Sequence, residues 1–378
     1  MLIPAYIIAA AIPALVLYII YSRDLYKTGA FRFVALCFVA GAAAFFLAAK
    51  INTLVLNLGW LSRENIIRFS APLVEEILKS LLLLYLVRRI DFTYFVDGAI
   101  YGFAAGIGFA IIENFSYISA AQNAALGVAI SRVISTNLVH ATASAVVGIG
   151  MGLARYERGW KRLAFGLGGY LIAILLHSFY NNMVTRVSGG IVLLFAVAVG
   201  AGGAVFIILS IRRGLKEEKR WIEEKLGDAD RVTVQEAAVV QRMDTLQKVL
   251  APLAARFGPK KAEQIEKLLL AQARLGILRK TAEKLPDPKM RKGVEDQIAK
   301  LQQEMDQARR GIGAYVMLYL RNIFPEGGGP LYGRLEEAIK EKAAARPATG
   351  GPNLYAALQQ RTASRATTPP PDSEPPSP

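Results

Sequence analysis

The sequence predicts an all-α membrane protein: a polytopic bundle of about seven transmembrane helices, then a cytoplasmic helical hairpin or small bundle and a disordered tail. Three observations carry this. Of the 378 residues 53% are hydrophobic, and the mean hydropathy is positive. Seven runs before residue 212 are apolar over close to the roughly 20 residues that a spanning helix needs. Beyond residue 212 charged residues alternate with Leu, Ile and Ala, and from Ala343 the chain turns rich in Ala, Pro, Thr and Ser. The expected divisions are therefore 1–211, 212–342 and 343–378.

The apolar runs cover residues 2–21, 32–49, 66–87, 95–118, 130–154, 163–186 and 189–211. The first lacks the basic n-region of a secretory signal, its first charge being Arg23, and reads as a retained membrane helix. The second holds Cys37, the single cysteine, which excludes an intrachain disulfide and a cysteine-based metal cluster. Trp60 and Leu61, before the third run, suit the membrane surface. The fourth and fifth are rich in small residues, Gly98, Gly102, Gly106 and Gly108 in one and Gly148, Gly150 and Gly152 in the other. Such residues let membrane helices approach closely. A tight turn at Val187 and Ser188 separates the last two runs.

Loop charges set the orientation. Arg23, Lys27 and Arg32, then Arg88 and Arg89, then Arg155, Arg158, Lys161 and Arg162, then Arg212, Arg213, Lys216, Lys219 and Arg220 fall on one side of seven spans. The other side carries Lys50, Arg63, Arg68, Arg132 and Arg186, of which Arg132 and Arg186 are expected to snorkel to the outer surface. The positive-inside rule places the N-terminus outside and the C-terminal region in the cytoplasm, most simply at a plasma membrane. The net charge of +15 belongs to these loops and to the later helices. No basic patch interleaved with aromatics occurs, so nucleic acid is not an expected partner.

In the cytoplasmic part, Thr233-Val234-Gln235-Glu236 fits a capping box opening a helix to about Arg256, which Gly258-Pro259 ends. Further helices are expected over 260–284 and 290–310, with an apolar stretch at 315–324. Leucines and alanines at three- and four-residue spacing suit helix packing, self-association or a partner. The tail, with Thr368-Pro369-Pro370-Pro371, is expected to be disordered.

The two histidines of the chain, His140 and His177, and the glutamates Glu75, Glu76 and Glu113 all lie inside apolar runs. Ionisable groups are costly in a membrane, and there they mark functional sites by default. Counted inward at roughly 1.5 Å per residue, these five fall at similar depth in the outer half of four helices. Lys79 is four residues from Glu75 and three from Glu76, so it can pair with either. Asn181 stacks one turn from His177. A carboxylate near a histidine performs general acid–base work. Two histidines and a glutamate, here His140 and His177 with Glu113, equally suit zinc with an open water position, although no HExxH spacing occurs.

At these residues the chain resembles the PrsW family of intramembrane proteases, within the wider CAAX protease and bacteriocin-processing superfamily. Ala71-Pro72-Leu73-Val74-Glu75-Glu76-Ile77-Leu78-Lys79 is similar to its EExxK motif, and Gly108-Phe109-Ala110-Ile111-Ile112-Glu113-Asn114 to its FxxxEN-type motif. His140 and Leu176-His177-Ser178-Phe179-Tyr180-Asn181 match its two later histidine helices. The resemblance covers roughly residues 60–186. It implies an endopeptidase in which Glu75 or Glu76 activates water, His140 assists proton transfer, and His177 with Asn181 stabilises the oxyanion. It also implies a single-spanning membrane substrate, such as an anti-sigma-like regulator. CAAX proteases have histidine where this chain has Glu113, so prenylated substrates do not follow. Two other classes compete. A transporter would line the full membrane thickness with polar groups, and a silent scaffold acting through its cytoplasmic helices would need no polar set.

Overall fold

A stripe of small residues sets the centre of the fold. In the computed structural model, which describes residues 2–26, 28–186, 190–226, 232, 234–240 and 246–322, Gly98, Gly102 and Gly106 press one long helix against the backbone of another. A Cβ at Gly106 would lie 2.5 Å from the His140 carbonyl oxygen, so no larger residue fits there.

The chain order is α1 (Leu2–Tyr21), α2 (Phe31–Asn57), α3 (Arg63–Asn65), a π-helical turn (Ile66–Ser70), α4 (Ala71–Leu86), α5 (Phe95–Ala120), a 3-10 turn (Gln122–Ala124), α6 (Ala125–Ile134), α7 (Thr136–Ala154), α8 (Gly159–Arg186) and α9 (Gly190–Lys225). Then follow α10 (Val234–Val240), α11 (Leu246–Phe257), α12 (Pro259–Lys284), α13 (Pro288–Ile312) and α14 (Ala314–Asn322). No strand occurs among the described residues. The apolar stretch of α5 is 94% buried, against 22% for those of α1, α8 and α9, so α5 is the axis and the others face outward. The glycine stripe packs α5 on α7, and Gly41 with Gly108 brings α2 equally close on its other side.

Six helices among the described residues are long and apolar enough to cross a membrane: α1, α2, α5, α6 with α7, α8, and α9 from Leu194. The chain is an integral membrane protein. The expected third span differs, being the π turn plus the 16-residue α4, which carries Glu75, Glu76 and Lys79. It still runs between the same two ends as its neighbours. At one end Arg68 Nε donates to Thr185 Oγ1 (3.1 Å) and Asn181 Nδ2 to the Ile67 carbonyl (2.8 Å). At the other, the Arg155 guanidinium donates to the carbonyls of Val87 and, at 3.0 Å, Arg89. The π turn ends two residues before Pro72, whose ring cannot sit in a regular helix interior, and the Ala71 N–H reaches back to Ile66 O instead.

Two further boundaries depart from expectation. The expected 130–154 helix breaks at Ser135 (φ −127°, ψ −83°), where Ser135 Oγ donates to the Ser131 carbonyl at 2.5 Å. The expected division at 211/212 falls inside α9, which is continuous for 36 residues. Its lower part carries the later helices: a Cβ at Gly276 of α12 would lie 2.9 Å from Ile222 Cα. The turn between α12 and α13 is closed by Asp287, whose Oδ1 accepts from the N–H groups of Lys289 (2.8 Å) and Met290 (3.2 Å). Gln297 of α13 donates to Asp91 at 3.3 Å, tying this hairpin to the loop after α4, and one compact unit spans residues 1–324. Thr233 of the expected capping box, residues 241–245 and the expected disordered tail lie outside the described residues.

Candidate active site

Four helices bring the polar set together because α4 lies against α5, α7 and α8. Glu76, fully buried, is its hub. Its Oε1 accepts from Lys79 Nζ at 2.5 Å and from His177 Nδ1 at 2.9 Å, and its Oε2 accepts from Ser144 Oγ at 3.2 Å. Lys79, three residues on, also donates to His140 Nδ1 at 3.3 Å and sits 4.8 Å above the Phe109 ring. A buried cation and a buried anion offset each other's desolvation here, which neither could bear alone.

Each imidazole leans on its own carboxylate. His177 donates from Nδ1 to Glu76, which leaves the Nε2 lone pair facing Glu75 Oε2 at 3.8 Å. His140 donates from Nε2 to Glu113 Oε2 at 2.9 Å. This carboxylate–histidine pairing fixes tautomer and ring direction, as the outer partners of metal-binding histidines do. The two rings meet edge to face with centroids 4.6 Å apart.

Glu75 is the group left over. Its side chain is 12% exposed, and Oε2 is buried without a hydrogen-bond partner among the described residues. Ligand atoms of Glu75, His140 and His177 all lie within 4.8 Å of one another. An oxygen and two imidazoles so arranged are a donor set suited to zinc, and the unpartnered oxygen is what a cation would satisfy. The carboxylate grouped with both histidines is thus Glu75, where the sequence reading had Glu113. Glu113 instead pairs with the Arg132 guanidinium as well as His140, and so sits behind the imidazole.

Two other residues stand differently from their sequence reading. Arg132, expected to snorkel outward, turns inward. It pairs with Glu113, donates from Nε to Asn114 Oδ1 at 2.7 Å and stacks 3.8 Å over Tyr117. Asn114 passes the chain on to Asn137 Oδ1 at 2.6 Å. Asn181 follows His177 by one turn, but its amide is spent on the Ile67 carbonyl of the π turn. Ser144 was not singled out from the sequence; its place one turn after His140 was the signal available.

The family described as PrsW family intramembrane metalloprotease matches residues 29–211. A Protease PrsW of Shouchella clausii is 29% identical over 188 residues, 47% of this chain and 83% of that protein. One from Clostridioides difficile is 36% identical over 114 residues, 29% of this chain and 48% of its own length. A third, from Halalkalibacterium halodurans, is 28% identical over 180 residues, 47% of this chain and 81% of its own. No solved structure matches the chain. Residues 29–211, just under half of the chain, are thus similar to the PrsW family of intramembrane metalloproteases.

Proposed function

We propose that the chain hydrolyses a peptide bond of a single-spanning membrane protein, an anti-sigma-like regulator being the substrate class, at Glu75, His140 and His177. The observation that supports this most is the buried, unpartnered Glu75 oxygen facing His177 Nε2 at 3.8 Å. An unsatisfied buried carboxylate oxygen is costly, which suits a group kept for water, substrate or a cation. In the metal-free form of the reaction Glu75 takes the proton of the attacking water and returns it to the leaving amide nitrogen. Glu76 and Glu113 hold the two imidazoles in place, and Lys79 balances their charge.

Glu75, His140 and His177 would hold a zinc-class cation, which when bound acidifies water and polarises the scissile carbonyl. His140 Nε2 is held by Glu113 and Nδ1 faces the Lys79 ammonium, so Nδ1 is the nitrogen that would be offered to a cation once Lys79 moved aside. Asn181 is kept outside the reacting set, as a residue that positions the π turn against α8. The arginine-bearing loops after α1, α4 and α7 are read as cytoplasmic, which puts the site toward the outer face of a plasma membrane.

The test uses the full chain in liposomes with a panel of single-spanning substrates, comparing it with Glu75→Gln and His177→Ala, with and without a chelator. Cleavage lost in both variants and on chelation, and restored by zinc, is the expected result. Chelator-resistant cleavage that still needs Glu75 would leave glutamate chemistry without metal. Cleavage unchanged in both variants would sink the site.

A further inference from the structure

Arg155, at the end of α7, is a guanidinium with donors left over. It is 6% exposed and donates from Nη1 to the carbonyls of Val87 and Arg89. Its Nε and Nη2 are buried with no acceptor among the described residues. A buried charge with unspent donors is costly unless an anion completes it. Arg155 lines a groove of about 290 Å³ between the ends of α4 and α7, the start of α8 and the turn joining α12 to α13. Arg88 and Arg162 line the same groove, both exposed and neither in an ion pair among the described residues. One carboxylate, that of Asp287, also lines it, with Oδ1 committed to the backbone of α13. The rest of the wall includes Leu84, Leu163, Leu167 and Tyr170.

We propose that this groove is a binding site for an anionic phospholipid. The phosphate lies among Arg155, Arg88 and Arg162, and the upper acyl chain runs along Leu84, Leu163 and Leu167. Placement supports a lipid over a soluble anion. The groove sits where the membrane helices end, the depth of headgroups, and its apolar strip continues onto the outward faces of Leu163 and Leu167, 63% and 60% exposed. Trp160, 76% exposed beside it, is the residue type that favours this level. Basic pockets between membrane helices take anionic headgroups on the same physical grounds. The volume also excludes a substrate helix, which is about 10 Å across.

The experiment is native mass spectrometry of the full chain released from nanodiscs of mixed phosphatidylcholine and phosphatidylglycerol. Arg155 braces two helix ends and its loss could unfold them, so the test variant is Arg88→Gln with Arg162→Gln. Its melting temperature in phosphatidylcholine should match the parent chain. The expected result is one phosphatidylglycerol retained by the parent chain in preference to phosphatidylcholine, and roughly thirtyfold weaker retention by the variant. Inorganic phosphate at millimolar levels should not displace it. Equal retention of both lipids by both proteins would overturn the proposal. So would displacement by inorganic phosphate with no dependence on an acyl chain, which would mark a soluble-anion site.

Discussion

The bundle buries carboxylates at both of its ends and treats them in opposite ways. Toward one end, Glu76 and Glu113 each meet a cation and an imidazole, Lys79 with His177 for one and Arg132 with His140 for the other. At the other end Asp24, Asp97 and Glu218 lie close enough to repel one another. Asp97 is satisfied by neutral donors, Thr28 Oγ1 at 2.9 Å and the N–H and hydroxyl of Thr93 at 2.7 Å. Glu218 has neither oxygen partnered among the described residues. The difference teaches which burial is built to carry charge. A compensated network stays ionic in a dry setting, whereas an uncompensated acid there favours its protonated form.

The comparison breaks most sharply at Lys79. Lys79→Met strands Glu76 among apolar helices and should cost about 3–5 kcal/mol, seen as loss of a monodisperse folded species in detergent. Adding Glu76→Gln should recover much of that stability while cleavage stays absent, because the pair is coupled. Next comes Glu113→Gln, which keeps the shape behind His140 and removes its charge partner. Cleavage should fall about 10–100-fold with little change in melting temperature. At the opposite end the sign reverses. Glu218→Gln, which removes an acid with no partner, should leave stability at pH 8 unchanged or raise it by about 1–3 kcal/mol.

The last prediction is a pH slope. Burial, and next the charge of Asp97, push the Asp24 carboxyl up to about 7 from 3.8. An acid whose folded pKa is raised stabilises the fold while protonated, and that contribution is lost as pH rises through the folded value. Melting temperature in detergent should therefore decline between about pH 4 and 7 through this group. Asp24→Asn should flatten that decline, and an unchanged slope would remove Asp24 from the account.

Much of this was legible in the sequence because membrane burial leaves plain marks. Apolar length gave the spans, and small residues gave the contact of α5 with α7, where Gly102 and Gly106 meet Ser144 and His140. Common depth gathered Glu75, Glu76, Glu113, His140 and His177. Depth does not give azimuth, however. Whether Glu75 or Glu113 faces both imidazoles depends on how α4 and α5 are rotated, and no spacing encodes that. The inward turn of Arg132 depends on the break at Ser135, which only a short run of hydroxyl residues foreshadows. The residue 211/212 boundary marks a change of surroundings, and without a helix breaker there the backbone of α9 simply continues.

That continuity has a mechanical consequence. At 1.5 Å per residue α9 is a single rod of about 54 Å, gripped below by α12 and above by α7. The upper grip admits one angular setting, because a side chain at Gly203 would collide with Thr142 and one at Gly200 would press on the Ser135 carbonyl. Turning the lower end by a single residue, about 100°, would swing Ala201 and Ala204 toward those places and push α7 aside. Torque applied to the helices after residue 225 thus has a stiff route to the helix that holds His140.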